Sequence, residues 1–166
     1  QLEGKVIVVF GGNSGIGSEV VRIASLYGAV AFSFSRSGTN TDITDRKSVR
    51  EALNEAFEKA GKIDYVVNSA AILLKEPLVT MEPEVLDNMI RTNYNGMVYV
   101  AIESFPYLKE TKGELLLYTS SSYTRGRPFY SIYSSTKAAV VNFMQALAQE
   151  WEVDNIRVNV MNPERT

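Results

Sequence analysis

The chain has 166 residues, 45% of them apolar, with a net charge of −2 from 17 basic and 19 acidic side chains. That length supports one domain with a sizeable core, and the mixed charge leaves no basic face for nucleic acid and no polybasic anchor for a membrane surface. Cysteine and histidine are both absent, so disulfides, thiolate nucleophiles, the commonest metal ligands and the commonest general base are excluded, and no metal site is expected.

The first apolar, β-branched run, Lys5 to Phe10, reads as a strand and leads into Gly11-Gly12-Asn13-Ser14-Gly15-Ile16-Gly17. A helical pattern then covers Ile16 to Tyr27, followed by a second strand at Ala29 to Ser35. Between that strand and the next helix, Asp45 to Ala60, lie Ser37 to Asp42. This stretch is too short for a crossover of about a dozen residues, so a peripheral third strand is expected to be missing or vestigial. A strand at Ile63 to Asn68 precedes a helical pattern from Pro83 to Tyr107 that reads as broken. Strands at Glu114 to Thr119 and Ile156 to Met161 flank a helix from Ser131 to Trp151, with Val140, Phe143, Met144, Leu147 and Trp151 on one stripe. The strands are near-continuous apolar runs, as buried parallel strands are, and they alternate with helices. The class is therefore α/β with a parallel sheet.

No apolar run approaches the ~18 residues a membrane helix requires, and no secretory leader is recognisable. A cytoplasmic protein is expected. The start at Gln1 and the stop soon after the last strand lead us to expect a single domain, residues 1–166, that is part of a longer chain.

A glycine cluster between strand and helix lets the backbone turn tightly and lets a pyrophosphate approach amides at the positive end of the helix. A tight turn alone would also call for glycine, so the cluster gains meaning only from residues farther along the chain. Tyr133 and Lys137 are four residues apart and stack on one helical face. Ser120 lies thirteen residues upstream of Tyr133 at a strand end, and Asn93 sits in Asn93-Tyr94-Asn95-Gly96.

The glycine spacing and these four residues together resemble the short-chain dehydrogenase/reductase family over essentially the whole chain. The resemblance implies a Rossmann-type doubly wound parallel sheet, here lacking or shortening its third strand and without the family's C-terminal strand. It also implies a nicotinamide cofactor held by Gly11, Asn13, Ser14, Gly15, Ile16 and Gly17, with Asp42 and Ile43 at the adenine and Asn68 and Ala70 in the turn beneath the cofactor. Phe10 stands where the family usually has threonine, and Ala71 where it has glycine.

By the same resemblance, Tyr133 delivers a proton and Lys137 binds the nicotinamide ribose while favouring the phenolate of a phenol whose ordinary pKa is near ~10. Ser120 polarises the carbonyl oxygen and Asn93 holds a water in the proton relay. Thr119, Ser121 and Ser122 neighbour Ser120, and spacing selects among them. At the end of the second strand Arg36 occupies a position where an acid would favour NAD; a guanidinium there suits the extra phosphate of NADP(H), although it also suits a plain solvated surface.

The loop between Ser120 and Tyr133 carries Arg125 and Arg127, which suit an anionic, phosphorylated substrate or else solvent and glutamate partners at a subunit contact. Residues Leu115 to Arg127, with Asn162-Pro163-Glu164-Arg165-Thr166, resemble a narrower group, the reductase domain of bifunctional CDP-ribitol synthases. That likeness implies NADPH-dependent reduction of ribulose 5-phosphate to ribitol 5-phosphate, with a cytidylyltransferase domain in the same polypeptide. The alternatives are a generic ketone or 3-oxoacyl reductase and a non-catalytic NADP-binding module. Family members usually form homodimers or tetramers through two long helices, here around Val98 to Leu108 and Val140 to Trp151.

Overall fold

The computed structural model describes residues 1–12, 15–120 and 125–163. Five strands form one wholly parallel sheet: β1 (Val6–Phe10), β2 (Val30–Phe34), β3 (Tyr65–Asn68), β4 (Glu114–Tyr118) and β5 (Arg157–Met161), in the spatial order β2-β1-β3-β4-β5. The order reverses between β1 and β3, and the carboxyl ends of a parallel sheet diverge at such a reversal to open a crevice.

Burial follows rank in the sheet. All five residues of β1 are buried, whereas β2, at one edge, buries only Phe34, and β5, at the other, buries only Val158. Uniform burial, expected from the apolar character of the strands, therefore holds for β1 and fails at both edges, where one side of the strand has no neighbour to shield it, and also in the interior β4, where buried and half-buried residues alternate.

The helices are α1 (Gly15–Leu26), α2 (Arg36–Thr39), α3 (Arg46–Ala60), α4 (Pro83–Ile90), α5 (Gly96–Thr111) and α6 (Ser131–Glu150). The larger core lies on one face of the sheet, where Val8, Phe10, Val66, Leu115 and Leu117 meet apolar side chains from α3, α5 and α6. Val140, Leu147 and Trp151 of the expected α6 stripe are buried there, with Phe143 and Met144 half-buried against them. The other face is covered by α1, whose Val20, Val21 and Ala24 pack on Ile7, Val9 and Val67. Among the described residues no helix is long and apolar enough to cross a membrane.

Where a third strand would leave the sheet, the chain makes the single turn of α2. Ser35 caps it by accepting the Gly38 amide at 3.0 Å, and Asn40, at φ 56°, ends it in the left-handed conformation. Asp45 then caps α3 by accepting from Lys47 N–H at 3.0 Å. The link between β2 and α3 is thus too short to hold a further strand and crossover, as its length foretold.

The break expected within Pro83 to Tyr107 is a π-helical turn, Arg91–Asn95, between α4 and α5. Such turns carry one extra residue per turn and often mark functional sites, because they turn one side chain out of register with its helix. Here the turn contains Asn93.

Candidate functional site

The crevice at the strand reversal is built from backbone that only glycine permits. Gly11 follows β1 at φ 84°, and a side chain on it would meet Ala70 N and Ser69 Oγ at 2.8 Å. A Cβ on Gly17, in the first turn of α1, would lie 2.0 Å from the Gly11 carbonyl oxygen. The turn after β1, the start of α1 and the turn after β3 therefore close on one another. No acidic residue occupies the first turn of α1, so its positive end remains available to an anion. Asn13 and Ser14 lie outside the described residues.

A cleft of about 320 Å³ extends from this turn along the end of β2. Gly11, Arg36, Asp42, Ile43 and Ala70, all expected at a cofactor, line it together, as do Ser69 and Thr92. Gly15 and Ile16 open α1, with Ile16 exposed. Asn68 is buried at the end of β3, where its Oδ1 accepts the Ala70 amide at 3.3 Å and so shapes the turn that lines the cleft.

Asp42 accepts from Thr44 N–H at 2.9 Å and Thr44 Oγ1 at 2.7 Å. Partial burial opposes its charge, but those bonds, with Arg36 and Arg91 nearby, hold its carboxyl below the usual aspartate range. A fixed anion and a cation, Arg36, thus share the outer end of the cleft.

Two further residues shape this crevice without having been singled out from the sequence. Ser69 stands between Asn68 and Ala70, and its hydroxyl donates to Phe10 O at 3.0 Å, with Gly11 O at 3.3 Å, pinning the glycine turn from the side. Gly96 leaves room for Ile43, whose Cδ1 would lie 2.5 Å from any Cβ there. A hydroxyl in the turn and a glycine in a helical pattern were the only signals, and neither is specific.

The second half of the site surrounds α6. Lys137 is buried, its Nζ donates to the Tyr118 carbonyl at 3.2 Å, and burial lowers its pKa from the ordinary 10.5 to about 8. Thr119 ties the same residue from the strand side, its hydroxyl donating to the Lys137 carbonyl at 2.6 Å. Ser120 comes directly after it in the chain, half-buried at the carboxyl end of β4. Tyr133 lies one helical turn before Lys137, half-buried, with its ring edge-on to Tyr130 at 6.4 Å between centroids.

Asn93 reaches this cluster from the π turn. Its Oδ1 accepts from Ile72 N–H at 2.7 Å, and its Nδ2 donates to Ile72 O at 2.9 Å and to Thr136 Oγ1 at 3.3 Å. Every polar atom of its side chain is engaged in holding backbone and helix together. All four residues of the expected catalytic set are thus carried on elements that meet beside α6.

Of the loop between Ser120 and Tyr133, Ser121 to Thr124 lie outside the described residues. Arg125 is exposed and Arg127 half-buried. The end of this loop is held by the Glu76 amide, which donates to Phe129 O at 2.9 Å, and Phe129 itself adopts φ 71°, a conformation a bulky side chain takes only when its surroundings impose it. Glu164 to Thr166, part of the narrower resemblance, also lie outside the described residues.

A parallel sheet with a glycine turn at its reversal point, and a buried lysine one helical turn after a tyrosine, are arranged as in a dehydrogenase. The family model described as short chain dehydrogenase matches residues 5–166, and the chain belongs to that family of nicotinamide-dependent oxidoreductases. It is 50% identical over 166 residues to the bifunctional ribulose 5-phosphate reductase/CDP-ribitol pyrophosphorylase of Haemophilus influenzae, covering all of this chain and 35% of that protein. The chain therefore spans about a third of that relative's length. It is also 30% identical over 183 residues to a 3-oxoacyl-[acyl-carrier-protein] reductase of Thermotoga maritima, covering 98% of this chain and 74% of the relative. Among solved structures, the 3-ketoacyl-(acyl-carrier-protein) reductase of Brucella melitensis, complexed with NADH, superposes with a TM-score of 0.92 at 28% identity, covering 98% of this chain and 76% of that one.

Proposed function

We propose that this domain reduces ribulose 5-phosphate to ribitol 5-phosphate with NADPH. The observation that carries the substrate is the 50% identity, over every residue of the chain, to the Haemophilus reductase/pyrophosphorylase. Arg125 and Arg127, in the loop between Ser120 and Tyr133, are chemically consistent with it, because guanidinium groups bind phosphate bidentately.

The glycine cradle suits a dinucleotide, since glycine at positions 11 and 17 lets the turn after β1 close against the start of α1, and no acidic residue in the first turn of that helix opposes a pyrophosphate at its positive end. Arg36 supports the choice of NADPH: it lines the cleft beside Asp42, and no carboxylate stands at the end of β2 itself to repel a ribose phosphate. When bound, the cofactor supplies hydride to the carbonyl carbon of the substrate.

Tyr133 donates its hydroxyl proton to the carbonyl oxygen as the alcohol forms. Lys137, with a pKa of about 8, is mostly an ammonium at neutral pH, and an ammonium one turn from a phenol stabilises the phenolate left behind. Ser120 donates a hydrogen bond to the same oxygen, a bond that strengthens as negative charge gathers there. Asn93 holds Ile72 and Thr136, and with them the turn under the cofactor, in place.

In this reading the domain works in the cytoplasm as a homodimer or tetramer, in a polypeptide that also carries a cytidylyltransferase. Mass measurement of the native protein tests both the assembly and the fusion. The 30% identity to a 3-oxoacyl reductase keeps a second substrate class in view.

The deciding assay compares ribulose 5-phosphate, unphosphorylated ribulose and an acetoacetyl thioester, with NADPH and with NADH, in wild type and Arg127→Ala. The phosphate is expected to raise kcat/KM about 10- to 100-fold, the worth of charged hydrogen bonds, and the substitution to remove most of that gain. Preference for the thioester, with no phosphate advantage, would replace the phosphosugar reading by the second.

A further inference from the structure

We propose that Thr136 is a positioning residue of this active site: its hydroxyl joins the Asn93 amide to the backbone of Tyr133 and so fixes the catalytic helix against the turn that carries the cofactor. The inference rests on the reductase reading above and adds to it a residue that neither the family's four-residue pattern nor the glycine motif includes.

Thr136 is buried between Tyr133 and Lys137 in sequence. Its Oγ1 donates to the Tyr133 carbonyl at 2.7 Å, a back-bond within the helix that serine and threonine often make and that alone would mean little. The same oxygen also accepts from Asn93 Nδ2, from a different element and 43 residues away in sequence. A hydroxyl has one proton to give and lone pairs to spare, so it can do both at once.

The polarity of the network runs one way. Asn93 Oδ1 is taken by the Ile72 amide, one of its two Nδ2 protons goes to Ile72 O, and the other goes to Thr136 Oγ1. Thr136 in turn must direct its proton to Tyr133 O, because the Asn93 amide group facing it is a donor. Ile72 comes after Ala70 and Ala71 along the cleft, so a chain of directed bonds links the cofactor turn, Asn93, Thr136 and the backbone of Tyr133.

Valine in place of Thr136 keeps the shape and removes the relay, leaving one buried Asn93 N–H without a partner. Serine keeps the relay and removes a methyl group. A role in packing alone predicts that the valine variant works and the serine variant suffers; the relay predicts the reverse.

The test uses the purified chain as wild type, T136V and T136S, with folding checked by circular dichroism. Two readouts are taken: steady-state reduction of ribulose 5-phosphate and, independently of activity, hydrogen exchange at the Ile72 amide that Asn93 holds. T136V is expected to lower kcat about 10- to 100-fold with little change in KM for NADPH, as displacement of a reacting group does, and to speed Ile72 exchange; T136S is expected to restore most of both. Wild-type kcat and wild-type exchange in T136V would overturn the proposal, as would a serine variant no better than valine. If the wild type reduces neither ribulose 5-phosphate nor an acetoacetyl thioester, the function reading falls and the exchange data alone decide: unchanged Ile72 exchange in T136V refutes the relay, while faster exchange restored in T136S upholds it.

Discussion

The Lys137 ammonium donates to the Tyr118 carbonyl at 3.2 Å, so the cation buried at the centre of the site is anchored to the strand that delivers Ser120. Burial strips the ammonium of hydration, and its pKa falls from 10.5 to about 8. Below about 8 the folded protein carries a buried charge that the unfolded chain would solvate, so the residue costs stability there. Above it, the folded state has released the proton while the unfolded state still holds it, and stability rises with pH until the ordinary lysine value is passed. Lys137→Met is therefore expected to be more stable than wild type at pH 7, by on the order of 3 kcal/mol at most, and to lose that advantage between pH 8 and 10.5. Chemical denaturation across this range checks it. An advantage that grows with pH would show that the lysine is not buried as a charge.

Catalysis should move the other way with pH. The ammonium form is the one that steadies a phenolate, so kcat of the wild type is expected to decline as pH rises through about 8. Tyr133→Phe should lower kcat by about 10²- to 10⁴-fold, the usual worth of a positioned general acid, while NADPH binding, followed by its fluorescence, stays within about twofold of wild type. A phenylalanine variant that turns over normally would remove the tyrosine from the chemistry.

Two glycines should respond differently to the same methyl group. On Gly17 a Cβ meets the Gly11 carbonyl at 2.0 Å, and backbone cannot step aside; on Gly96 it meets the Ile43 side-chain end at 2.5 Å, which can rotate. Gly17→Ala is expected to abolish measurable cofactor binding. Gly96→Ala should weaken it several-fold and destabilise the fold by about 1–3 kcal/mol, the range for overpacking. Titration with NADPH and thermal unfolding of both variants make the comparison, and equal effects would contradict the geometry.

Arg36 lines the outer end of the cleft, next to an Asp42 that is held ionised by Thr44. Without the guanidinium, the remaining carboxylate should disfavour a phosphorylated ribose. Arg36→Ala is expected to shift the ratio of kcat/KM for NADPH over NADH toward NADH by about 10- to 100-fold, the loss of one or two charge-assisted bonds. An unchanged ratio would place Arg36 in solvent.

Much of this molecule is legible in the order of its residues. The alternation of apolar runs with helical stripes announces the α/β class, and each strand lies within two residues of its expected bounds because short apolar runs between turn residues are a local signal. The short link between β2 and α3 excludes a further strand there by length alone. The break in the Pro83 helix is visible as an interruption, but the pattern cannot say that it is a π turn built around Asn93. Even burial is readable only on average: Val30 looks as apolar as Val8, yet it is half exposed at an edge while Val8 is fully covered at the centre.

By itself the sequence determined what depends on near neighbours: which segments are strands or helices, where only glycine can stand, and that Tyr133 and Lys137 share a helical face. Packing alone decided which of those pieces touch. Asn93 meets Ile72 and Thr136 across separations of 21 and 43 residues, and Ser69 reaches Phe10 across 59, through bonds that exist only because the sheet order brings β1 and β3 side by side and lays α6 against the π turn. Hydrogen bonds are short and directional, so a partner far along the chain leaves no trace in local composition until the fold has placed it.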